Sequence, residues 1–177
     1  MSNGMESAPF DAALLSERSL AFATALFERF PWLREHARIE RSDASPHWGF
    51  AVVVHAPSGD DRSTVCVSDE DGTVQHVHFG RWHWHVRDGN WDWKPQAETP
   101  FDFLAGVFTD RYVTSERLGA AKRAHDIVLD LADENDLRAE LAATGPNGRV
   151  RLRSWSGALD REWTIADLER GERPRRT

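Results

Sequence analysis

Residues 48–87 read WGFAVVVHAPSGDDRSTVCVSDEDGTVQHVHFGRWHWHVR, and this stretch decides the fold class. Its β-branched and aromatic residues fall into four segments, which short runs rich in Gly and Asp separate. Such composition favours β-strands, and here the strand-like segments are 48–57, 62–68, 73–79 and 81–87. Because separators this short join antiparallel neighbours, we predict a meander of four strands.

Helical patterns lie on both sides of this sheet. Over Phe10–Phe30 the apolar residues Leu15, Phe22, Leu26 and Phe30 recur at the spacing of an amphipathic helix, which Pro31 ends. Residues 99–102 (TPFD) have the form of a helix start, with a Thr cap and Pro at the first helical position. Asp133 is predicted to cap another short helix.

Strand patterns return in the second half of the chain, at 111–118, 125–131, 149–155 and 158–164. Thr164 and Asp167 are spaced as the cap of a last helical turn. The predicted fold class is α+β: a mainly antiparallel sheet with an N-terminal amphipathic helix and one or two further short helices packed on it. No repeat or linker interrupts this pattern, so we expect a single α+β domain over 1–170 and a disordered basic tail, 171–177.

Length and composition narrow the class of protein. A chain of 177 residues is long enough for one domain with its own hydrophobic core. Its 40% hydrophobic and 29% charged residues are typical of globular proteins and argue against wholesale disorder. The net charge of −7 disfavours nucleic acid, since phosphate binding needs a basic face, and it fits a basic protein partner.

The single cysteine, Cys66, excludes an intramolecular disulfide and any multi-cysteine zinc site. The N-terminal residues lack a secretory signal and no apolar run is long enough to cross a bilayer, so we expect a cytoplasmic protein without a membrane segment. Cys66 lies within a predicted strand and is interpreted as a small buried side chain. The acidic residues Asp60 and Asp69 are expected to be solvated at hairpin tips. We predict no catalytic residue.

Three arginines, Arg149, Arg151 and Arg153, alternate along one predicted strand and therefore share a face. Such a face can hold an anion or an acidic partner. The favoured interpretation is a solvated face that Asp160 and Glu162 neutralise across the hairpin.

Aromatic density singles out residues 75–94, which hold half of the eight histidines and half of the eight tryptophans. Trp clusters of this kind build either a core corner or a binding surface. The residues that flank the tryptophans alternate in polarity along the strands, which favours the core interpretation. If the strand face that carries the tryptophans is exposed instead, it would form an apolar surface for a partner. The candidate binding residues are Trp82, His83, Trp84, His85, Trp91 and Trp93.

The histidines of the same stretch offer a different chemistry. Side chains two apart share a strand face, so His76 pairs with His78, and His83 pairs with His85. If all four converge, their imidazoles can bind zinc or another divalent transition metal, with Asp88 or Asp92 as a further ligand. A register slip of one residue would place the two pairs on opposite faces and leave ordinary strand histidines.

Several short motifs resemble those of small uncharacterised bacterial α+β proteins, some of which are immunity proteins of polymorphic toxin systems. The motifs are WHWH (82–85), WDW (91–93), RYVTSER (111–117) and SWSGALDRE (154–162), and the resemblance spans roughly residues 70–165. It implies a non-enzymatic cytosolic binding protein that neutralises a basic toxin by occluding it. The alternative is a metal-binding protein or metal-dependent enzyme built on the four histidines.

Overall fold

The computed structural model describes residues 5–42, 48–60, 64–70, 74–86, 97–118 and 127–174. These residues fold into two compact units. The first unit holds the described residues of 1–54, 65–78 and 83–92, and the second holds those of 55–64, 79–82 and 93–177. Two antiparallel sheets and four α-helices confirm the α+β class. The single domain over 1–170 stays a prediction.

The first sheet has six strands in sequence order, β1 (Met5–Pro9), β2 (Ala37–Ser42), β3 (Gly49–Val54), β4 (Val65–Glu70), β5 (Val74–Phe79) and β6 (Trp82–Val86). A 3₁₀ turn (Ala12–Leu14), helix α1 (Glu17–Arg29) and a second 3₁₀ segment (Pro31–His36) lie between β1 and β2. The four predicted strands are β3 to β6, so the predicted meander is confirmed and continues through β1 and β2.

Helix α1 begins later than the predicted helix over Phe10–Phe30. Ser16 caps it by accepting a hydrogen bond from the Ser19 N–H at 3.1 Å, and this cap fixes the first turn. Pro31 follows the helix and opens the second 3₁₀ segment. Phe22 and Leu26 are buried, and the Phe22 ring packs on Phe50 of β3 at 5.8 Å between centroids. The predicted apolar stripe therefore does attach α1 to the first sheet.

The second unit contains α2 (Pro100–Phe108), β7 (Tyr112–Leu118), β8 (Ile127–Asp130), α3 (Glu134–Ala143), β9 (Arg149–Arg153), β10 (Glu162–Thr164) and α4 (Ile165–Glu169). Its antiparallel sheet has the order β10-β9-β7-β8. The core cluster combines sheet residues with residues of α3 and α4: Val113, Leu129, Leu137, Leu141, Val150, Leu152, Leu159, Trp163 and Leu168.

Side-chain caps set the helix boundaries of the second unit, as predicted. Thr99 accepts from the Asp102 N–H at 3.1 Å, and Asp133 accepts from the Asn135 N–H at 2.9 Å. Thr164 and Asp167 form a reciprocal capping box at the start of α4.

One prediction near the end of the chain needs correction. The strand predicted over 158–164 is limited to β10, because the turn before it is held by Asp160, which accepts from the Ser154 N–H at 2.6 Å. The tail predicted to be disordered, 171–177, is described as far as Pro174, and its disorder stays a prediction. Arg161 donates to Glu172 of this tail at 2.6 Å.

Candidate functional site

Strand β6 carries the first of the predicted binding residues. Trp82 is half-buried, and its ring packs on Phe103 with centroids 5.1 Å apart. Residues His83, Trp84 and His85 continue the strand, and the structure describes their backbone. Trp91 and Trp93 lie outside the described residues. For Trp82 the contact with Phe103 favours a packing role, whereas the other members of the set keep their role as predictions.

The histidine pair of β5 has the predicted geometry. His76 and His78 are half-buried while Val77 and Phe79 are fully buried, so the two histidines share the more open face. Their rings stack with centroids 6.1 Å apart and 22° between planes. Across the described ranges no group of three or more His, Cys, Asp or Glu side chains is placed to hold a metal ion. His83, His85, Asp88 and Asp92 contribute no described side chain, so a site that includes them stays a prediction.

The first unit exposes three large hydrophobic side chains close together in the sequence. Leu14 is 46% exposed, Leu20 is 38% exposed and Trp32 is 40% exposed. They lie on three consecutive elements: the first 3₁₀ turn, helix α1 and the second 3₁₀ segment. Of the three, Leu20 also lines a groove, and an apolar concave surface of this kind can receive a protein partner.

A groove of about 240 Å³ is formed by the same three elements together with Phe10. The lining residues are Phe10, Ala12, Leu20, Ala23, Thr24, Phe27, Glu28 and Arg34, and we call this set the α1 groove. Phe10 and Phe27 meet edge to face at 5.3 Å, which fixes the apolar wall. Glu28 and Arg34 place one charge of each sign on a lining that is otherwise mainly apolar.

Sequence analysis missed the α1 groove, although a signal was present. Leu20, Ala23, Thr24 and Phe27 follow an i, i+3, i+4, i+7 spacing, which places them on one side of the helix. Ala23 is buried and the Phe27 ring lies 6.4 Å from that of Phe50 in β3, so this side overlaps the stripe that packs on the sheet.

The arginine face of β9 is neutralised, in a manner that differs partly from the prediction. Glu162 accepts from Arg149 at 2.8 Å and from Arg151 at 2.6 Å, which confirms its predicted role. The hydrogen bond from Arg151 is the main reason that the pKa of Glu162 is lowered.

The predicted role of Asp160 is wrong, because its carboxylate holds the turn before β10 instead. Arg153 donates to Asp60, which is therefore an ion-pair partner and not a solvated residue at a hairpin tip. Arg153 also reaches Glu116 at 3.5 Å. Asp69 too differs from the prediction, since it lies in β4 and is buried. The arginines of this face are thus paired with carboxylates of the same chain.

Two buried carboxylates of the second unit are held by two-point arginine pairs. Arg111 donates to Asp130 at 2.9 and 2.6 Å, and Arg117 donates to Glu140 at 2.8 and 2.7 Å. Ser115 adds a third hydrogen bond to Glu140 at 3.0 Å. Paired Nε and Nη2 donors fix both oxygens of a carboxylate, so these groups join β7 to β8 and α3.

Cys66 is half-buried in β4. Burial, followed by the charge of Glu40, raises the pKa of its thiol. A raised pKa keeps the thiol protonated near neutral pH, and the protonated form is a poor nucleophile. The environment of Cys66 therefore fits the predicted role of a small packing side chain better than the role of a reactive thiol.

Comparison with known proteins adds no relative: no family model, curated protein or solved structure matches this chain. Within the part of the chain that the structure describes, no helix is both long and apolar enough to span a membrane. Function is therefore inferred from the surfaces of the described residues, among them the α1 groove.

Proposed function

We propose that this protein is a non-enzymatic binding protein that covers part of a basic protein partner, and that the α1 groove is its main contact surface. One observation carries the proposal: the α1 groove has a mainly apolar lining that includes the exposed side chain of Leu20. The two 3₁₀ segments that also contribute to its lining expose Leu14 and Trp32. The resemblance to immunity proteins makes a toxin the expected partner, and occlusion of the toxin is the expected mode of action.

The energetics of such a contact are favourable. Complete burial of a side chain the size of Leu contributes about 1.5–3 kcal/mol, so a few anchors in and beside the groove supply most of the affinity that an interface needs. The net charge of −7 would speed the approach of a basic partner. Trp84 and His85 of β6, with the other predicted aromatic residues, form a second contact region in this proposal.

Co-expression tests the proposal in cells. A candidate basic toxin domain is expressed in a sensitive host, and growth is measured with and without the protein. We expect the wild-type protein to restore growth and Leu20→Glu to fail, because the added carboxylate would have to be buried in the contact.

Ala21→Glu is the matched control, since Ala21 is exposed on the same helix but does not line the groove. Equal rescue by Leu20→Glu and Ala21→Glu would remove the groove from the proposal. Loss of rescue by Trp84→Ala alone would transfer the contact surface to β6.

A metal-binding function is the second candidate, and the stacked pair His76 and His78 favours it. Elemental analysis of the purified, untagged protein, together with His76→Ala and His83→Ala variants, tests it directly. About one zinc, nickel or iron per chain, lost in both variants, would support a four-histidine site. No bound metal after supplementation would leave His76 and His78 as structural residues.

A further inference from the structure

The volume of the α1 groove suits one side chain of a partner. The groove measures about 240 Å³. A cavity of about 150 Å³ is enough to bind benzene, whereas sites for drug-sized ligands begin at about 300 Å³. The groove is therefore large enough for one aromatic ring and smaller than a site for a larger ligand. In a protein contact, the matching occupant is a single anchor side chain.

Three phenylalanine rings hold the wall of the groove in place. Phe10 and Phe27 both line the groove and meet edge to face at 5.3 Å between centroids. The centroid of each ring also lies 6.4 Å from that of Phe50, which is 1% exposed. The two lining rings are half-buried, so the core fixes them while part of their surface stays open. A wall that is fixed before binding loses little conformational entropy, and its rings favour an aromatic occupant.

Two charged side chains lie at the groove, one on helix α1 and one on the second 3₁₀ segment. Glu28 and Arg34 are both exposed, and neither forms a hydrogen bond or an ion pair within the part of the chain that the structure describes. Both charges are thus available to a partner. Since the proposed partner is basic and this chain has a net charge of −7, Glu28 attracts the partner, while Arg34 repels a positive charge on its own side.

We propose that the α1 groove receives one aromatic side chain of the partner, of the size of Phe, and that a Lys or Arg beside it pairs with Glu28. This inference rests on the proposed function, since it names the part of the basic partner that the groove recognises. The aromatic ring packs against Phe10, Phe27 and Leu20. Arg34 sets the orientation of the partner segment, because a base placed next to Arg34 would be repelled.

Dipeptide amides are the probes, and saturation-transfer nuclear magnetic resonance follows their binding to the full chain. The complete probe is N-acetyl-Phe-Lys-amide. In one matched probe norleucine replaces Lys, which removes the charge, and in the other Ala replaces Phe, which removes the ring. We expect a millimolar dissociation constant for the complete probe and about two- to fivefold weaker binding without the charge. Without the ring we expect no binding up to about 10 mM.

Variants of the chain assign the probe to the groove. Glu28→Gln should weaken binding of the Lys probe about two- to fivefold and leave the norleucine probe unchanged, a coupling that a merely structural role would not produce. Arg34→Gln should not weaken the Lys probe. Leu20→Ala should weaken both probes about fivefold. Glu17→Gln and Ala21→Ser are the matched controls, since both residues are exposed on the same helix outside the lining.

The absence of saturation transfer to N-acetyl-Phe-Lys-amide at about 10 mM would overturn the proposal, and so would equal binding of the probe without the ring. Equal weakening of both ring-bearing probes by Glu28→Gln would overturn the pairing with Glu28. The growth test separates these results from failure of the proposed function. Rescue that depends on Leu20, without binding of any probe, would keep the contact surface and reject the aromatic anchor. A dimer in sedimentation equilibrium that Leu20→Glu dissociates would assign the groove to a second copy of the chain instead.

Discussion

The two units of this protein differ in where they place hydrophobic and charged side chains. Around helix α1 the first unit leaves large hydrophobic side chains exposed, whereas the second unit fixes its buried carboxylates with two-point arginine pairs. Buried ion pairs specify one arrangement and tolerate little change, while exposed apolar side chains cost little stability and are available for a partner. We therefore interpret the second unit as a framework, and our proposal places the protein contact on the first.

The largest expected effect comes from breaking a buried pair. Glu140→Ala leaves Arg117 and Ser115 without their shared acceptor, so we expect the free energy of unfolding to fall by about 3–5 kcal/mol. Urea denaturation measures the loss. Arg149→Ala breaks an exposed pair and serves as the control, with a much smaller expected effect. Comparable losses in the two variants would show that burial of Glu140 does not decide its contribution.

A smaller effect is expected where α2 approaches β7. A Cβ at Gly106 would lie 2.3 Å from Cδ2 of Tyr112, whose ring also stacks on Phe103 at 5.1 Å. Gly106→Ala should therefore cost about 1–3 kcal/mol through overpacking, despite the better helix propensity of Ala. Thermal unfolding measures it. In a Tyr112→Leu background the same substitution should be tolerated, and an unchanged cost there would contradict the steric explanation.

Low pH should lower the stability of the second unit through the cap of helix α4. The pKa of Asp167 is lowered by the Thr164 hydroxyl, then by the Thr164 N–H and by Arg170. A lowered folded-state pKa means that the stabilisation is complete above the unfolded value of about 3.9 and is lost as the pH falls through the folded value. Asp167→Asn should therefore flatten the decrease in stability between about pH 5 and pH 2.

Glu169→Gln is the control for that measurement, since Glu169 is an exposed carboxylate on the same short helix. Denaturation curves collected across the acid range compare the three proteins. An Asp167→Asn variant that loses stability with acid as steeply as the wild type would show that the capping box does not contribute to the acid response.

Local chemistry explains which parts of the fold were predictable. Thr99, Asp133 and Thr164 act on N–H groups two or three residues away, so their spacing alone predicts the caps. Strands β3 to β6 are predictable because their own composition favours strands. Strand β2, ARIERS, was missed, since Ile39 is its one fully buried residue and its strand form depends on pairing with β1 and β3.

The functional surfaces were less predictable because they depend on distant contacts. The Glu162 pairs lie across a hairpin and follow from alternation, whereas Asp60 is 93 residues from Arg153 in the sequence. The spacing of Leu20, Thr24 and Phe27 indicates one side of the helix, but the sequence alone does not show how much of that side the sheet covers.

The dissociation constant for the proposed basic protein partner, measured by titration calorimetry with wild type, Leu20→Ala and Ala21→Ser, tests the central claim most directly. We expect Leu20→Ala to raise the constant about tenfold or more, as for an anchor residue, with stability within about 0.5 kcal/mol of the wild type. Ala21→Ser should bind as the wild type does. Unchanged affinity in Leu20→Ala, with the complex intact, would contradict the assignment of the α1 groove as the contact surface.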